Sequence, residues 1–84
     1  MDFKNSTYII MGGTTGMGLA AAIALKKNGA NLMVVGRNLD NCEKAKEILG
    51  KGSISLEGDA TDPKTIKTAI KMTHKAFGPI TGLL

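Results

Sequence analysis

The stretch Met11-Gly12-Gly13-Thr14-Thr15-Gly16-Met17-Gly18 concentrates the chemistry-bearing positions of the chain. Its residue types suit a bound diphosphate. Gly12 lets the backbone turn sharply, and Gly16 lets main-chain amides approach phosphate oxygens with no Cβ in the way. Gly18 permits a helix to pack closely on a sheet. The hydroxyls of Thr14 and Thr15 can add hydrogen bonds to phosphate or ribose oxygens. Amides of the first helical turn, near Met17, present the positive end of the helix dipole. A glycine-rich turn with a purely structural role is the competing reading. No Gly-Lys-Ser/Thr follows the loop, which excludes a Walker-type phosphate site.

Further along, Gly36-Arg37-Asn38 occupies the place where cofactor choice is made in dinucleotide readers. A reader of NAD carries an acid about 20 residues beyond its glycine loop, against the ribose hydroxyls. Here that place holds Arg37, and no acid occurs between the glycine loop and Asp40. A carboxylate would repel a 2′-phosphate, whereas an arginine can pair with it through a charged fork. The expected cofactor is therefore NADP rather than NAD, with a solvated arginine as the alternative.

The remaining candidates read as structural. Lys64, Lys67, Lys71 and Lys75 share one helical face without interleaved aromatic residues, as a solvated surface does. His74 lacks partners for a metal or a catalytic triad, so no metal site is expected. Cys42 lies on an apolar stripe and suits a small core position.

These residues need a scaffold, and the chain spells one out. Tyr8 to Met11 is a continuous apolar run, as in a strand covered on both faces. Thr15 to Asn28 is an Ala- and Leu-rich helix closed by Gly29. Leu32 to Val35 is a second strand ended by Gly36. Leu39 to Leu49 is a helix with Leu39, Cys42, Ala45 and Leu49 on one stripe, Asn38 as N-cap and Gly50 as C-cap. Ile54 to Glu57 is a weaker third strand. Asp62-Pro63 then opens a helix whose apolar stripe is Ile66, Ala69, Ile70, Thr73 and Phe77, and Gly78-Pro79 stops it. Ile80 to Leu84 begins a fourth strand. The order βαβαβαβ implies an α/β fold, parallel strands joined by right-handed crossovers. It is half of a doubly wound Rossmann sheet, in which a fourth strand lies beside the first.

Composition narrows the classes. The chain has 84 residues, 43% of them apolar, with 11 glycines and 2 prolines, which suits one small domain with tight βα turns. A net charge of +4 fits a polyanionic ligand but is too small to indicate nucleic acid. One cysteine excludes an internal disulfide. The longest uncharged run, residues 5 to 25, is broken by glycines and hydroxyl residues, so neither a membrane span nor a signal peptide is expected. The chain reads as cytoplasmic.

With these motifs in place, the sequence resembles the short-chain dehydrogenase/reductase family. Gly12, Gly16 and Gly18 match its GxxxGxG loop, although Met11 stands where the family commonly has Thr. Val34-Val35-Gly36-Arg37-Asn38 is similar to its second strand, Gly58-Asp59-Ala60-Thr61-Asp62 to its segment after the third, and Phe77 to Leu84 to the approach to its fourth. The resemblance implies that Asp59 hydrogen-bonds the adenine amino group with the Ala60 backbone nearby; a turn or capping aspartate is the alternative. It implies NADP as cofactor and hydride transfer between the nicotinamide and a small carbonyl or alcohol substrate. The family's catalytic Ser and Tyr-xxx-Lys are absent here, because Tyr8 is followed four positions later by Gly12. The expectation is thus an NADP-binding segment over residues 1–84 that stops inside its fourth strand, inactive alone and prone to self-association. A non-enzymatic nucleotide-binding or interaction module is the competing class, and an open reading frame beyond Leu84 distinguishes the two.

Overall fold

A computed structural model describes residues 3–84. The chain runs β1 (Thr7–Met11), α1 (Gly16–Lys27), β2 (Asn31–Gly36), α2 (Leu39–Leu49), β3 (Ser53–Glu57), α3 (Pro63–Phe77) and β4 (Gly82–Leu83). The four strands form one parallel sheet in the order β3-β2-β1-β4. The fourth strand lies beside the first, as the sequence implies for a doubly wound sheet.

Alternation along the strands sorts the core into two layers. Ile10, Leu32 and Val34 point to one face, where they meet Ala22 of α1 and Ala45 and Leu49 of α2. Ile9, Met33 and Val35 point to the other, against Ala69 of α3. Both faces of β1 and β2 are therefore covered, which is why their sequences are continuously apolar rather than alternating. Alanine on the helices lets them sit close to the sheet, and Ala22, Ala45 and Ala69 are all buried.

Helix ends follow the local sequence. Asn38 caps α2, its side chain accepting from the Asn41 amide at 3.1 Å, and Asp62 caps α3 through the Lys64 amide at 2.9 Å. Gly29, Gly50 and Gly78 follow the three helices with positive φ. The strands extend further than the apolar runs: Thr7, Asn31 and Ser53 open β1, β2 and β3. Gly82 and Leu83 of β4 are in register with Tyr8 and Ile9, and Thr81 and Leu84 on either side also bond to the backbone of β1, so most of the run from Ile80 to Leu84 lies along it. The expected apolar stripes are trimmed. Leu39, the first residue of α2, is 52% exposed and Ile70 44% exposed, so neither belongs to the core.

Candidate functional site

The Gly12–Gly18 loop leaves β1 under the control of β2. The amides of Gly12 and Gly13 both donate to the Val35 carbonyl, at 2.8 and 3.2 Å, which turns the chain off the strand. Gly12 and Gly16 take φ of +74° and +56°, left-handed values that disfavour any side chain. A Cβ at Gly16 would meet no protein atom within 4 Å, so the loop presents bare backbone to open space there. At Gly18 a Cβ would fall on the Gly12 carbonyl oxygen, so this glycine seats α1 against the loop itself.

Thr15 is the N-cap of α1 in extended conformation, and its side chain makes no capping hydrogen bond. The hydroxyl and the first-turn amides are left for another acceptor or donor. Met17 is 90% exposed at this end of the helix. Thr14, by contrast, is buried, and its side chain occupies the space that a Cβ on Gly36 would need. Gly36 therefore lets the loop rest on the end of β2. The sequence marks Gly36 only as a strand terminator, and its packing against Thr14 is visible only in the fold.

Arg37 and Asp59 follow the ends of β2 and β3, which adjoin: the Gly58 amide donates to the Gly36 carbonyl at 2.8 Å. The Arg37 guanidinium reaches across and donates to Asp59 Oδ1 at 3.0 Å. The same oxygen accepts from the Thr61 amide at 2.9 Å and the Thr61 hydroxyl at 2.7 Å. These Thr61 donors, followed by Arg37, hold the Asp59 carboxyl down to about 2. Ala60 sits in the turn between Asp59 and Asp62, closed by the Asp62 amide on the Asp59 carbonyl at 3.0 Å. Thr61 is the residue that sequence reasoning passed over. Its spacing of two from Asp59, typical of an aspartate turn, was the available signal.

The glycine loop, Arg37 and Asp59-Ala60 thus gather along the carboxyl ends of β1, β2 and β3. That is the edge where open α/β sheets take ligands. Tyr8 lies apart from it, its ring edge-on to Phe3 with centroids 6.1 Å apart. Cys42 is buried, its thiol directed at the carbonyls of Gly36 and Leu56, each 3.6 Å away, and burial pushes its pKa up. It is a core group held in its thiol form.

This architecture has known relatives. The family model for short chain dehydrogenase matches residues 6–84, and the chain belongs to the short-chain dehydrogenase/reductase family. It is 35% identical over 80 residues to an NADP-dependent (R)-specific alcohol dehydrogenase of Lentilactobacillus kefiri, covering 93% of this chain and 32% of that protein. It is 30% identical over 81 residues to an L-rhamnose 1-dehydrogenase (NAD(P)(+)) of a Sphingomonas species, covering 92% of this chain and 32% of that protein. Among solved structures, a short chain dehydrogenase from Bacillus anthracis superposes with a TM-score of 0.90 at 28% identity. That match covers 96% of this chain and 35% of the other. The chain spans about a third of the length of the curated relatives it matches. No helix among the described residues is long and apolar enough to cross a membrane.

Proposed function

We propose that these residues form the NADP-binding part of a short-chain oxidoreductase acting on a small carbonyl or alcohol substrate. The reading rests most on Arg37, which stands at the end of β2 where an NAD reader carries an acid. The bare backbone at Gly16, the uncommitted Thr15 hydroxyl and the dipole end at Met17 fit a pyrophosphate. Gly12 and Gly18 give the loop its turn and its seat, while the buried Thr14 braces it on Gly36. Asp59 and the Ala60 backbone are assigned to the adenine, with Asp59 Oδ2 left to accept from its amino group. When bound, the nicotinamide supplies or takes the hydride. The residues of this chain bind and orient the dinucleotide, and proton transfer to a substrate falls to residues outside them. Self-association in the cytoplasm belongs to the same proposal.

The test is a pair of titrations of the complete gene product carrying this chain, with NADPH and with NADH, before and after Arg37→Asp. A hydrogen bond to a charged group contributes roughly 10- to 100-fold in affinity. Arg37 is 74% exposed, so screening places the expected loss of NADPH affinity at the low end, about tenfold. NADH affinity should hold or rise, because the new carboxylate can accept from its ribose hydroxyls. A change of less than about threefold in the NADPH/NADH ratio removes the NADP assignment and leaves the phosphate loop standing.

A further inference from the structure

The contact between Arg37 and Asp59 joins two residues that the proposed function gives to different parts of one ligand. We infer that Asp59 is a selectivity residue: its carboxylate competes with the 2′-phosphate for Arg37 and so moderates the preference for NADP over NAD. This rests on the NADP reading above and adds to Asp59 a role separate from the adenine contact.

The argument starts from the donors. Asp59 Oδ1 accepts three hydrogen bonds, two from Thr61 and one from Arg37 Nη2. A carbonyl-type oxygen carries two lone pairs, so three donors crowd it, and the Thr61 pair alone can satisfy it. The Thr61 bonds span only two residues and include a backbone amide, so they hold the carboxylate in place whatever Arg37 does. Arg37 is the dispensable third donor. Its side chain is 74% exposed, an arrangement in which an ion pair contributes little net stability. Arg37 is therefore parked rather than locked, and a phosphate dianion can draw it away.

Departure of Arg37 does not remove the Asp59 charge. The carboxylate is held ionised at any ordinary pH by the Thr61 donors. A 2′-phosphate paired with Arg37 then lies well within a Debye length of Asp59, about 10 Å at 0.1 M salt. Repulsion between like charges at such separations in water corresponds to roughly threefold in affinity. NADH lacks the phosphate and escapes that penalty.

Asp59→Asn keeps the shape and both Thr61 acceptor bonds while deleting the charge. In the complete gene product, the NADPH/NADH affinity ratio should rise about threefold at low salt and converge with the parent's at high salt. Any change in the adenine contact affects both cofactors alike and cancels in the ratio. A ratio that stays constant or falls overturns the inference. Should the variant misfold, the parent protein still decides. Adding 2′-AMP should move the Asp59 carboxyl 13C resonance further than 5′-AMP does, as Arg37 leaves it. Equal movement by both nucleotides, with Arg37 resonances responding to 2′-AMP alone, overturns the competition and keeps the NADP reading. Arg37 resonances indifferent to 2′-AMP count instead against the NADP reading itself.

Discussion

At the scale of single residues, the site depends on two devices: backbone left bare and carboxyl charge held in place. Gly16 exemplifies the first. Its φ of +56° and the empty space around a notional Cβ mean that a side chain there strains the backbone without striking the protein. Gly16→Val should cost about 1–2 kcal/mol, the usual cost of a left-handed non-glycine residue, and leave the fold in place. Its Cβ branch enters the space assigned to the pyrophosphate, so dinucleotide affinity should be lost in the complete protein. Unchanged NADPH affinity by titration refutes the loop assignment. Asp59 exemplifies the second device. Its folded pKa of about 2 lies below the ordinary 3.8. A depressed carboxyl adds stability above the unfolded value, and that contribution disappears as pH falls through about 2. The group is exposed, so a titration of its side-chain 13C signal is the proper readout. Thr61→Val deletes the hydroxyl donor and should move the midpoint up toward the ordinary value. An unmoved midpoint shows that the Thr61 hydroxyl is not a cause.

At the scale of elements, the punctuation of the sequence located the helix boundaries closely. Asn38 and Asp62-Pro63 open helices, and Gly29, Gly50 and Gly78 follow their ends, because capping is a local matter of one side chain or one φ. Strand ends were less legible. Thr7, Asn31 and Ser53 join the sheet through backbone pairing, which side-chain polarity does not report. The margins of the apolar stripes were less legible too: periodicity gives the direction of a helix face but not how far burial extends around it, and Leu39 and Ile70 stay exposed. Of the site, the glycine loop is contiguous and could be read directly. The Arg37–Asp59 pair spans 22 residues and depends on β2 lying beside β3. The seating of α1 is the element-scale feature with the clearest consequence. Gly18→Ala places a methyl on the Gly12 carbonyl and pushes the helix off the loop, with overpacking of this kind costing about 1–3 kcal/mol. Gly16→Ala meets no such neighbour. Chemical denaturation should therefore show Gly18→Ala losing stability through packing, with dinucleotide affinity falling alongside. Parental stability in Gly18→Ala contradicts this account of how α1 is seated.

At the scale of the whole molecule, the balance of burial matters more than any one contact. The accessible surface is 5167 Å², against about 4,800 Å² for a compact monomer of 8.8 kDa. Part of this surface is apolar. Leu83 and Leu84 are 55% and 59% exposed at β4, and Met11, Ile54, Leu56 and Ile80 are only partly buried on the face that α3 covers alone. Polypeptides of this size bury a modest share of their unfolded surface and fold with little stability in reserve. An edge strand with unpaired backbone groups and exposed leucines is also a template for a second strand. The isolated 84-residue chain should accordingly be marginal and self-associating, with a melting temperature that rises with protein concentration, since association stabilises the folded state by mass action. Sedimentation across a hundredfold dilution together with thermal melts at each concentration tests this. A monomer with a sharp, concentration-independent transition shows that the β4 edge and the thin α3 face are sufficient as they stand.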